Sequence, residues 1–237
     1  MKLKFPYDAV ETEDKKMGMF SRKDMVRLFG PLLVEQLLAV LVGMADVVMV
    51  AAVGETAVSG VALVDSISVL VIQVLSAMAT GGAVVCAQYI GKKRQDQACR
   101  AAGQLVLITA VLSLLIASAA FIGNRHLLRL IFGSVEAEVM DNAATYFWFT
   151  AMSYPFLALY NSGAALFRSM GNSKVSMKVS LAMNVINVAG NALCVFGLRM
   201  GVEGVAIPTL LSRMFAAVVM VLLVRSPKNS IRVNRLS

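Results

Sequence analysis

PLLVEQLLAVLVGMADVVMVAAV, from Pro31 to Val53, is the stretch from which the fold is read. Its 23 residues, wound as an α-helix, reach roughly 34 Å at about 1.5 Å per residue, enough to cross the hydrocarbon core of a bilayer. Two carboxylates interrupt the run, Glu35 and Asp46, and it holds no Lys or Arg. Eleven helical steps of about 100° make three turns plus roughly 20°, so both acids share one face, about 16 Å apart along the axis. A carboxylate at membrane depth is costly, and it normally faces a protein interior or a water-filled cavity and works there. The plainer alternative makes Glu35 interfacial and lets Asp46 do no more than hydrogen-bond a neighbouring helix. Asp46 is the residue to explain.

Composition fixes the solvent. Of 237 residues, 58% are hydrophobic and 15% charged, where soluble domains hold about 45–50% and about 25%. The mean hydropathy is +0.75, and the apolar residues come in runs of about twenty or more, so an all-α polytopic membrane protein is expected. The net charge of +8 does not imply a nucleic-acid partner, because the basic residues cluster at the ends of apolar runs and no basic-aromatic surface is interleaved among them. Cys86, Cys99 and Cys194 form no CxxC pair or even framework, so neither zinc nor disulfides are implied. His126 is the single histidine, and HExxH and GxSxG are absent. An enzyme is not expected, and neither is a cofactor.

From end to end the sequence reads as a polar segment, six spans and a basic tail. Residues 1–27 are mixed in charge and read as a cytosolic lead-in, with no signal-peptide pattern. The six-helix membrane region covers 28–224, and 225–237 is a short basic cytosolic tail. The first span runs to the turn at Gly54, with Pro31 in its first turn where a missing N–H costs little. The second, 58–90, carries Asp65 near its start and Gly81-Gly82 within it, the glycines suiting close helix packing. The third covers 101–122, and the stretch 123–142 is too polar to span. The fourth, 143–167, opens on Tyr146, Phe147, Trp148 and Phe149, an interfacial aromatic set. The fifth covers 175–198 and the sixth 202–224. On this arrangement eighteen Lys and Arg residues fall on one side and three, Arg125, Arg129 and Arg199, on the other. The richer side is expected to be cytoplasmic, with both termini inside and the protein in the plasma membrane.

Two further spans carry polar residues at depth. Asn184, Asn187 and Asn191 lie at offsets of three and four, within about 60° of one another on the fifth helix. Such a stripe is either helix-to-helix glue worth about 1 kcal/mol per bond or a cavity wall offering carbonyl oxygens to a cation beside a carboxylate. The sixth span holds Pro208-Thr209 and, near its centre, Arg213, which must snorkel, pair or face water. Glu35, Asp46 and Glu203 are its candidate partners.

Four stretches, taken with their order, resemble the amino-terminal lobe of multidrug and toxic compound extrusion (MATE) transporters. They are PLLVEQLLAVLVGMAD (Pro31 to Asp46), GGAVVCAQYIGKKR (Gly81 to Arg94), NSGAALFRSMGNSK (Asn161 to Lys174) and NVINVAGNALCVFGLRMGVEGVAIPTLLSR (Asn184 to Arg213). The likeness covers about 30–224, and the last stretch is the most specific of the four. It implies a six-helix lobe of a two-lobe, twelve-helix fold about a central cavity, in which a proton or sodium gradient drives export of organic cations. It also implies that Asp46 matches the family's first-span acid. Asn187, Asn191 and Thr209 match the positions that complete the amino-lobe cation site, and Tyr146 matches a nearby tyrosine. Some members have an aspartate where this chain has Asn191, which favours Asp46 as a proton carrier over a tight sodium site. Glu35, Asn184 and Arg213 are candidate supporting residues of the cavity.

A small organic cation, the bilayer and a second six-helix lobe are the expected partners. The chain ends where the second lobe of the family should begin, so a fragment, a truncated reading frame and a homodimerising half-transporter all fit, truncation being preferred. Two alternatives remain open: a lipid-linked saccharide flippase of the same superfamily, which would carry more cationic residues in its cavity, and a non-transporting membrane partner subunit.

Overall fold

The computed structural model describes residues 22–226. These form six long helices: α1 (Arg22–Ala51), α2 (Glu55–Gly91), α3 (Gln95–Phe132), α4 (Ala137–Ser169), α5 (Ser173–Ala192) and α6 (Glu203–Arg225). A π-helical turn, Leu193–Gly197, continues α5. No strand occurs among the described residues. Most of the expected amino-terminal segment and of the basic tail lies outside them, although α1 already begins at Arg22, ahead of the span start expected at residue 28.

Five helices are long and apolar enough to cross a membrane. Although α4 has the length, with 33 residues, it is not among those five. The reason is its place at the centre of the lobe, packed most heavily against α2, α3 and α6. A helix whose neighbours are protein rather than lipid can carry polar groups that those neighbours satisfy. Thr109 of α3 and Ser162 of α4 share a hydrogen bond of 2.7 Å, and Ser68 of α2 and Tyr154 of α4 one of 3.1 Å. The apolar core follows α4 as well, with Phe147, Ala151 and Tyr154 in one cluster and Leu157, Ala164 and Leu166 in the next.

Close helix contacts rest on small residues. A Cβ on Gly82 would come within 2.4 Å of Leu105 in α3, which is the packing use expected for the glycine pair; Gly81 faces open space. A Cβ on Gly163 of α4 would lie 2.2 Å from Met220 of α6. Gly133 and Gly171, at φ of 71° and 75°, close α3 and α4 in a left-handed conformation that glycine adopts without strain.

The polar stretch 123–142 is largely helical: α3 continues to Phe132 and α4 starts at Ala137. Hydropathy marks where the bilayer ends, whereas a helix ends where its backbone bonding stops. With 38 residues, α3 is about 57 Å long, far more than a ~30 Å hydrocarbon core requires. Its projecting end is tied to α4 by the exposed Arg125–Asp141 ion pair and by the Asn124 amide, which donates to the Ala144 carbonyl at 2.9 Å.

Candidate functional site

The site lies where α1, α5 and α6 meet. On α5, helical spacing puts Asn184, Asn187 and Asn191 on one face, and all three are buried. Gly190 sits among them, and a Cβ there would come within 2.7 Å of the Pro208 ring. Without that side chain α6 approaches closely enough for Thr209 to reach the stripe. The Asn187 amide donates to Thr209 Oγ1 at 2.9 Å, and the Thr209 hydroxyl passes its own proton to the Val205 carbonyl at 2.8 Å. The threonine therefore presents a lone pair, not a proton, to the site.

Asn191 links this pair to α1. Its Nδ2 donates to Asp46 Oδ1 at 2.7 Å and, more weakly, to Asn187 Oδ1 at 3.4 Å. The structure thus brings Asp46, Asn191, Asn187 and Thr209 into one continuous polar chain across three helices. Asn191 Oδ1 is buried without a hydrogen-bond partner among the described residues. Together with the Asp46 carboxylate, Asn187 Oδ1 and Thr209 Oγ1, it makes an oxygen set suited to a proton or a small hard cation. Asn184 is buried on the same stripe but joins no part of the chain, and its Nδ2 lacks a partner among the described residues.

A second charged group faces the first. Asp65 of α2 lies near the buried Tyr146 of α4 and acts on it electrostatically. Arg213 of α6 is half-buried and donates to Ser153 Oγ on α4 at 2.6 Å, and Ser153 donates in turn to the Thr150 carbonyl. None of the three candidate acids, Glu35, Asp46 and Glu203, is its hydrogen-bond partner. Its guanidinium still acts through space on both Asp46 and Asp65, and the two carboxylates act on each other. The site therefore sits in a field of two acids and one base, and Asp65 is the member to which sequence reasoning gave no role. Its depth was readable from the hydropathy of α2. Its direction, toward Tyr146 and Arg213, depends on how α2 is rotated against α4 and α6.

Glu35 is not part of this constellation. It accepts from the Tyr160 hydroxyl at 2.9 Å and from Ser176 Oγ at 3.2 Å, and the Arg168 guanidinium is 3.7 Å away. Its partners belong to the α4–α5 hairpin, a helix turn or more beyond the Asp46 site. Glu35 thus stands apart from Asp46 on the same face of α1, in line with the roughly 16 Å of helix between them.

Comparison with known proteins adds a family match, two relatives and two solved structures. A family model described as MatE matches residues 31–193. An uncharacterized transporter of Bacillus subtilis, YisQ, is 28% identical over 215 residues, covering 89% of this chain and 46% of the relative. A probable multidrug resistance protein NorM of Thermotoga maritima is 27% identical over 203 residues, covering 83% of this chain and 43% of the relative. The chain thus spans about half the length of the curated relatives it matches. Among solved structures, a MOP superfamily transporter from Pyrococcus furiosus superposes with a TM-score of 0.84 at 20% identity, over 90% of this chain and 47% of that one. An outward-facing multidrug resistance MATE family transporter superposes at 0.83, also at 20% identity and over the same shares.

Proposed function

The chain belongs to the MatE family, and we propose that it is one lobe of a secondary antiporter in which cation entry at Asp46 drives export of an organic cation. The observation that carries this reading is the chain Asp46–Asn191–Asn187–Thr209, in which a carboxylate at membrane depth is bonded to a stripe of amides. Asn191 Oδ1, buried beside it without a hydrogen-bond partner among the described residues, adds an acceptor to the same site.

In its ionised form Asp46 accepts the Asn191 amide and binds the coupling ion. Once that ion has neutralised the carboxylate, the charge-assisted bond to Asn191 loses most of its strength. The two states then favour different placements of α1 on α5, which is the differential energy that alternating access requires. Asn187 and Thr209 keep the amide of Asn191 aimed at the carboxylate. Tyr146, Asp65 and Arg213 set the field around it. A proton suits this donor set better than sodium, because Asn191 supplies an amide where a second carboxylate would bind a metal ion more firmly.

Half a cavity does not enclose a substrate, so a second six-helix lobe, as a carboxy-terminal half or as a second copy, completes the transporter in this reading. Proteoliposomes holding the two-lobe assembly test it. Efflux of a fluorescent organic cation should follow an imposed proton gradient and persist when sodium is absent. Efflux indifferent to both gradients would overturn the antiport reading.

A further inference from the structure

We propose that Glu35 is a positioning residue for Asp46: its cluster with Tyr160, Ser176 and Arg168 sets the height and rotation of α1 on α5, and so holds the Asp46 carboxylate against Asn191. The inference rests on the reading of Asp46 as the coupling group.

The need for such a device follows from how α1 is packed. It is the least buried of the five apolar helices, and Val34, Leu37, Leu41, Met44 and Val48 all point away from the lobe. Its main contact is α5. Between helices in a bilayer, apolar contact carries no hydrophobic drive, because lipid tails are as apolar as leucine. A smooth apolar face therefore leaves α1 free to slide and turn on α5. Polar ties remove that freedom, and one tie alone still permits rotation about itself.

The structure has two ties on one face of α1. In a chain of alternating helices α1 and α5 run in the same direction, and each tie reaches α5: Glu35 to Ser176, Asp46 to Asn191. The first is built as the fixed one. The Tyr160 hydroxyl of α4 donates to Glu35, the Arg168 guanidinium of α4 pairs with it across 3.7 Å, and Ser176 of α5 lies 3.2 Å away, its one hydroxyl proton shared with the Ser173 carbonyl at 3.0 Å; the side chains of Glu35 and Arg168 are only 17% and 28% exposed. Those donors are themselves set relative to one another, because α4 and α5 are joined by the three residues 170–172, with Gly171 at φ of 75°. The second tie is a single bond, to the group that must let go when it is neutralised. A firm tie at one end keeps the other in register while that bond is broken and remade.

Cysteine cross-linking tests this on the full chain in lipid nanodiscs, with Cys86, Cys99 and Cys194 replaced by alanine. The pair Asp46→Cys/Asn191→Cys reports the α1–α5 register; since both partners of the second tie are gone, Glu35 alone then positions α1. The pair Thr109→Cys/Ser162→Cys reports α3–α4 packing, where the native side chains are 2.7 Å apart. Adding Glu35→Ala should slow oxidative cross-linking of the first pair about tenfold, as the loss of one or two hydrogen bonds would, and leave the second unchanged. Glu35→Gln, which still offers Tyr160 an acceptor, should recover most of the rate. Tyr160→Phe, a smaller change than Glu35→Ala, should slow the first pair alone. An unchanged first-pair rate in Glu35→Ala, or equal slowing of both pairs, overturns the proposal. Cross-linking needs no transport, so that failure stays distinct from a failure of Asp46 to couple, which shows as efflux in Asp46→Asn.

Discussion

Among the three asparagines of α5, the structure separates one that holds the site together from one that does not. Asn187→Ala removes the bond to Thr209 at 2.9 Å and the weaker contact with Asn191 at 3.4 Å. Side-chain hydrogen bonds between membrane helices average about 0.6 kcal/mol and reach about 1.7 kcal/mol. The 3.4 Å contact lies within α5 and adds little, so the expected loss is about 1 kcal/mol, roughly a fivefold change in the folding equilibrium. Asn184→Ala breaks no side-chain hydrogen bond seen in the structure, and it removes a buried amide nitrogen that lacks a partner among the described residues. Its expected effect is near zero or slightly stabilising. Steric-trap unfolding of the chain in bicelles measures both variants against wild type. In the completed two-lobe transporter, Asn187→Ala should also lose more efflux than Asn184→Ala. Equal destabilisation, or a larger loss from Asn184→Ala, would show that the stripe is ordinary glue and that the chain to Thr209 has no special part in it.

Three further outcomes are expected. Single-cysteine labelling in intact cells should modify probes at the exposed Glu55 and Glu138 and miss those at Gln95 and Lys174; Ser173 is buried and therefore unsuitable, and the reverse pattern overturns the orientation. Gly190→Ala, whose Cβ would meet the Pro208 ring at 2.7 Å, should cost about 1–3 kcal/mol through overpacking. Gly81→Ala meets nothing within 4 Å and should be neutral or stabilising by up to ~1 kcal/mol in the same unfolding assay. A strictly monomeric preparation of this chain in liposomes should show no substrate efflux, because one lobe leaves its half of the cavity open to lipid; efflux from that preparation would contradict the need for a second lobe.

The site was legible in the sequence to the extent that helical periodicity and the family resemblance could carry it. Offsets of three and four put Asn184, Asn187 and Asn191 on one face from the sequence alone, and the resemblance matched two of them, with Thr209, to Asp46. Periodicity stops at the single helix. It does not say which helix a face meets, so Arg213 had three candidate acids in the sequence and took none of them, bonding instead to Ser153, which no pattern marks. Asp65 was passed over for the same reason. For Glu35 and Asp46 periodicity gives the shared face and the distance along it, but not the partners, which are Tyr160, Ser176 and Arg168 for one and Asn191 for the other. The composition of α4 falls short of a span because it packs at the centre of the lobe, where Tyr154 and Ser162 bond to Ser68 and Thr109 of neighbouring helices. Hydropathy marks the apolar part of α3 and says nothing of where the helix stops, so its continuation to Phe132 was not legible in the sequence.

The most direct test of the coupling role of Asp46 is gradient-driven efflux of a fluorescent organic cation by a two-lobe transporter carrying Asp46→Asn. The substitution keeps the side chain's size and a partner for Asn191 while removing the charge. Protein level should stay near wild type, and efflux under an imposed gradient should fall to background. Wild-type efflux at a normal protein level and with the gradient in place would contradict it.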